Sequence, residues 1–242
     1  MANATKFDDM ELEVPTFGLE GVETNNKEVG KSTVSCEIDM GGRKLTEGEI
    51  ALAKELFKDA IDYDKVRIHK HEYKGSIFTQ LFQTTDAAVT PNGEMYFLVD
   101  KQGKEGYMED FSKPRDPNNK RSMREKQWFM HEMVHVWQYQ LGYDLQTPEN
   151  KINAVKPGGR DYTLEPKNRL KDYNMEQQGN ILCDYWLTKD HNRQDYLWEK
   201  KYRRPKDTII NSGFLALVEL VLSDFFKNRK DAANLPPGKR RS

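Results

Sequence analysis

Two histidines four residues apart, with a glutamate between them, make His131-Glu132-Met133-Val134-His135 the stretch of this chain best suited to chemistry. On a helix, residues at i and i+4 stand on one face, so both imidazoles project the same way. Neutral imidazole nitrogens so placed can share one Zn2+, and Glu132 is positioned to act as general base toward an attacking water. With five histidines in 242 residues, composition alone produces this pattern only about once in a hundred such chains.

A catalytic zinc takes three protein ligands and keeps a fourth position open. The motif supplies two. Leu141 stands where metzincins carry a histidine six residues further on, which excludes that subclass. Cys183 is one alternative, although thiolates more often build closed structural sites. His69, His71 and His191 are the other histidines. Glu176, within Asp172-Tyr173-Asn174-Met175-Glu176-Gln177-Gln178-Gly179, is the best candidate, because a second helix carrying it completes a His2Glu set. Gly179 would let that helix approach closely. Spacing alone does not separate Glu176 from Glu165 or Asp184.

These residues need elements to hold them. Ser122-Met123-Arg124-Glu125 reads as a capping box and Gly142 as a helix stop, which places the motif mid-helix in an ordinary amphipathic helix. Leu170, Tyr173, Gln177, Ile181 and Trp186 recur at helical spacing over about 168–188. A further apolar helix is expected from Ile209 to Phe226, and an earlier one begins at the capping box Thr46-Glu47-Gly48-Glu49. Val66–His69 alternates like a strand, and Pro91-Asn92-Gly93 ahead of Met95–Val99 predicts a hairpin. Residues 100–121 read as a long surface loop. The fold expected is α+β, mainly helical, with a small, partly antiparallel sheet.

At the ends, residues 1–43 read as an extended or mobile arm with a short strand at Ser32–Ile38. Residues 44–228 form the expected catalytic domain, and 229–242 a disordered basic tail. Residues 1–30 hold seven acids and two lysines, whereas 200–242 hold eleven basic residues and four acids. The formal net charge of −1 gives no global field toward nucleic acid. No signal peptide is visible at the start, and the longest apolar run, Phe214–Leu222, is too short to span a membrane. Only Cys36 and Cys183 are present, too few for a disulfide framework.

HEMVHVWQYQLGY and DYNMEQQGNILCDYW, with LTEGEIALAKELFKDAIDYDKVRIH and VTPNGEMYF upstream, resemble the "Vgr-related" zincin-like proteins, gluzincin-type metallopeptidases encoded with bacterial type VI secretion and Rhs systems. The resemblance covers roughly residues 43–190. It implies a zincin-like fold whose small sheet lies beside the active-site helix, with an edge strand that binds an extended peptide. The hairpin around Val89–Phe97 is the candidate edge. It implies zinc held by His131, His135 and Glu176, with Glu132 as general base.

The function it implies is a zinc-dependent hydrolase of peptide bonds, an effector or accessory enzyme acting on protein or on peptidoglycan peptide stems. Made in the cytoplasm, such a protein would be delivered by the secretion machine to the periplasm or a target cell. A secretion component or an immunity protein would be its partner. A carrier that keeps the fold without catalysis is the alternative, against which Glu132 argues. Tyr162 is a candidate for stabilising the oxyanion, as are His191 and Tyr185. Asp184 or Asn180 could hold a ligand imidazole in its tautomer.

Overall fold

The computed structural model describes residues 41–75, 88–99, 106–115, 122–155, 158–205 and 209–241. The expected arm up to residue 40, its strand, Cys36 and the flanks of the 100–121 loop lie outside these residues.

Helix α1 spans Glu47–Phe57 and starts where its capping box predicts. The Thr46 hydroxyl accepts from the Glu49 amide at 3.1 Å, and the Glu49 carboxylate accepts from the Thr46 amide at 2.9 Å. Arg43, assigned to the expected arm, is packed onto this helix. Arg43 forms a two-pronged ion pair with the fully buried Glu49 and donates to the Met108 carbonyl. Glu49 also accepts from the Phe111 amide, so part of the expected surface loop is pinned into the core by a cap residue.

Two short strands follow. β1 (Ile68–His69) pairs in parallel with β2 (Met95–Tyr96). Antiparallel bridges flank them, Arg43 with Ile68 and Val89 with Tyr96, so the sheet is mixed and the hairpin is present. The protein is α+β. Gly93, at φ +80°, turns the hairpin against the Ser122–Gln140 helix: a Cβ there would lie 2.3 Å from the Tyr139 ring. Phe97 packs edge-on to Trp128 of the same helix, so the sheet lies beside it.

That helix, α2 (Ser122–Gln140), is expected as an ordinary amphipathic helix, but its middle is buried all round. Every residue from Phe129 to Gln138 is buried. It runs through the centre because helix α4 (Met175–Lys189) packs along it and α1 touches both. Between α2 and α4 in the chain comes α3 (Pro148–Val155). The second helix was expected from 168, but α4 starts seven residues later, behind a separate 3-10 turn at Leu170–Asp172. Asn174 caps it, its side chain accepting from the Gln177 amide while Gln177 reaches back to the Asn174 amide. The apolar helix expected over 209–226 is two: α5 (Ser212–Val221) begins behind the Asn211 cap, and α6 (Ser223–Lys227) follows a break at Leu222. Ile209 is outside both and exposed.

The tail expected to be disordered is packed over 229–241. The Trp137 indole donates to the Arg229 carbonyl at 2.7 Å, and Leu235 is buried. Arg229 lies over Phe225 and Phe226, Arg240 over Tyr143, and Arg241 over Tyr139 at 3.6 Å. Basic side chains that look solvated in the sequence cover aromatic rings instead, keeping charge wet and stems dry. Among the described residues, no helix is long and apolar enough to cross a membrane.

Candidate metal centre

His131 and His135 rise one turn apart from the buried middle of α2, their rings 5.0 Å apart and nearly perpendicular. Glu176, in the first turn of α4, meets both: Oε2 lies 3.2 Å from His131 Nε2 and Oε1 lies 3.4 Å from His135 Nε2. One ligand atom from each of the three falls within 4.8 Å of the others. Ligands at ~2.0–2.1 Å on a tetrahedral ion stand about 3.3 Å apart, so the donor set and its spacing fit zinc. Among the described residues, no other group of histidine, cysteine and carboxylate side chains comes together in this way.

The approach of α4 depends on Gly179. A Cβ at that position would lie 2.5 Å from His131 Cε1 and 2.8 Å from Nδ1, which no packed side chain tolerates. The glycine expected to allow close approach does so against a ligand ring. His131 Nδ1 is buried there without a hydrogen-bond partner. His135 differs: its Nδ1 lies 2.8 Å from Gln138 Oε1, which fixes Nδ1 as the protonated nitrogen and leaves Nε2 to ligate. Gln138 is itself held, donating to the Met175 carbonyl and to Gln178 Oε1, and Gln178 donates to the Leu170 and Asn234 carbonyls.

Charge reinforces the cluster. Burial lowers the His135 pKa, but the Glu176 carboxylate, with Glu132 and Gln138, outweighs it and lifts it to about 9. Burial raises Glu176, yet Arg160, His135 and His131 hold it well below the usual carboxylate range. A protonated His135 gives Glu176 a counter-charge, a role that a divalent ion would take over by displacing the proton.

Glu132 is 4% exposed and accepts from the Thr90 hydroxyl at 2.6 Å. Thr90 sits in the hairpin, beside the Val89 bridge, so the sheet orients the expected base. Neither Thr90 nor Gln138 was singled out from the sequence. Gln138 carried a signal, standing three residues after His135 on the same helical face. Thr90, 42 residues before Glu132, carried none.

The remaining candidates lie elsewhere in the network. Tyr162 is buried, and its hydroxyl donates to Asp184 Oδ2 at 2.6 Å. That hydrogen is committed to a carboxylate and not offered to a substrate oxygen. Asp184 also accepts from the Trp198 and Glu199 amides, anchoring a loop and not an imidazole; burial, against these bonds, pushes it up to about 7. His191 pairs with Glu55 at 2.9 Å and meets Trp186 edge-on, while Tyr185 packs on Phe226. Asn180 donates to the Arg160 carbonyl, and Arg160 Nε lies 3.4 Å from Glu176 Oε2. Cys183 is a core thiol directed to the Gln127 carbonyl, and Glu165 is exposed. His69 stacks on Tyr96 and pairs with Glu94, apart from the ligand trio.

No model of a known protein family matches the chain. Over 152 residues it is 39% identical to the type VI secretion system spike protein VgrG2b of Pseudomonas aeruginosa, an alignment taking in 62% of this chain and 13% of that protein. Among solved structures, the effector domain of Pseudomonas aeruginosa VgrG2b aligns with 81% of this chain and 84% of its own, at 29% identity and a TM-score of 0.49. The chain is thus related in sequence to a type VI secretion spike protein, of which it spans 13% of the length.

Proposed function

We propose that this chain is a zinc-dependent peptide-bond hydrolase of zincin type that works in type VI secretion, as an effector or accessory enzyme acting on protein or peptidoglycan peptide stems. The observation that carries the reading is the convergence of His131, His135 and Glu176 beside a buried, hydroxyl-oriented Glu132. Kinship with a type VI spike protein supports the setting.

Held by these three residues, zinc would supply a Lewis acid that polarises the scissile carbonyl and makes water a nucleophile near neutral pH. Glu132 takes the proton from the attacking water and returns it to the leaving amine. The Thr90 hydroxyl bonds one carboxylate oxygen, leaving the other for that proton. Gln138 holds His135 in the ligating tautomer. The hairpin beside α2 is positioned to lengthen into a strand pairing with an extended peptide.

The test is metal content and cleavage of protein and stem-peptide substrates by the native protein and by Glu132→Ala. We expect about one zinc per chain in both, and a rate at least ~100-fold lower in the variant, the scale of general-base catalysis. Protein that purifies without zinc and cannot be reconstituted would overturn the reading.

A further inference from the structure

Three successive backbone carbonyls, those of Gly159, Arg160 and Asp161, are each taken by a side-chain amide of α4 or its cap. Asn174 Nδ2 donates to Gly159 at 2.8 Å, Asn180 Nδ2 to Arg160 at 2.9 Å, and Gln177 Nε2 to Asp161 at 2.6 Å. The same helix carries Glu176. A turn with no ladder of its own is thereby fixed in register beside the ligand carboxylate, as a first contact shell must be if it is to meet a substrate.

What the turn presents is Arg160. Its Nε lies 3.4 Å from Glu176 Oε2, yet the side chain is 60% exposed. A guanidinium has five donors in a planar fork, and it approaches Glu176 through Nε. So exposed an ion pair is screened and adds little to stability, which leaves the threefold anchoring unexplained as a structural device. The fork matches a carboxylate with two parallel hydrogen bonds. An extended peptide advances about 3.3–3.6 Å per residue, so a fork in contact with a ligand oxygen reaches groups one or two residues from a bond held at the site.

We propose that Arg160 recognises a free carboxylate on the substrate, making this site selective for peptides with a carboxylate one or two residues from the scissile bond. This rests on the hydrolase reading for the cleavage step alone. The carboxylate could belong to a chain end or to an acidic side chain or stem residue within the peptide.

The test uses hexapeptide libraries in matched pairs: C-terminal acid against amide, and a single internal Glu against Gln. Binding is measured by fluorescence anisotropy on the zinc-loaded Glu132→Ala protein, and kcat and KM on the native one. We expect one carboxylate form to bind at least about tenfold tighter than its amide, the scale of a charge-assisted hydrogen bond. The arm showing the preference names the source. Adding Arg160→Gln should abolish the preference and leave zinc content unchanged, and Arg160→Lys should keep part of it. Equal binding of acid and amide would overturn the proposal, as would a preference that survives Arg160→Gln. So would an Arg160→Gln that lowers kcat equally for both forms without changing affinity, which would mark an oxyanion donor. Selective binding without cleavage by the native protein would remove the hydrolase reading and leave this one standing.

Discussion

The two walls of the candidate metal centre are built from different materials. On one, His131, His135 and Glu176 project from α2 and α4, two helices pressed together at Gly179 and locked by the Gln138–Gln178 amides. On the other, Thr90 and Arg160 come from a hairpin and a turn, each reaching one carboxylate of the helical wall. The helices fix the groups that must not move. The loops carry those that face a changing partner, the common division between scaffold and function. Perturbing the helical wall should therefore cost metal, and perturbing the loop wall should cost turnover or selectivity with the metal retained.

The sharpest break of that contrast is Glu176→Ala. Structural zinc sites bind with about 10–16 kcal/mol, so losing one of three ligands should weaken affinity at least about a hundredfold. Competition with a chelator measures it; unchanged affinity would move the third ligand elsewhere. Gln138→Leu leaves every ligand in place but frees the His135 ring. Affinity should fall about 10- to 100-fold, the usual effect of removing a ligand's hydrogen-bond partner. Thr90→Val should act in the other sense. It removes one hydrogen bond to a charged base, so kcat should fall about tenfold while zinc content stays at the native level. If Thr90→Val instead released zinc, the two walls would not be separable.

How far the sequence revealed this arrangement depended on the range of the interaction. The Thr46 capping box is a bond between a side chain and a backbone three residues away, and it was read correctly. The same signal stands at Asn174 and Gln177, but apolar periodicity from Leu170 onward masked it and moved the start of α4 seven residues too early. Periodicity sees faces and not the break that a cap imposes. The pairing of His131 and His135 is legible because they share a helical face; bringing Glu176 to them needed the family resemblance. The tail was misread because composition counts Arg229, Arg240 and Arg241 as solvated charge, whereas each lies over an aromatic ring supplied from afar. Tyr162 was proposed for its place in a loop near the site, but its hydroxyl answers to Asp184.

The amide chain behind His135 ends on the carbonyl of Asn234. The ring's orientation is thus tied to backbone made almost a hundred residues later than the ring itself. A chain that has emerged only as far as α6 would hold all three ligands yet lack the group that closes the relay. Contacts of such sequence separation form late in folding and are lost together. If the proposed zinc is held here, full affinity should therefore appear late, and tight zinc uptake during refolding should lag the recovery of helix.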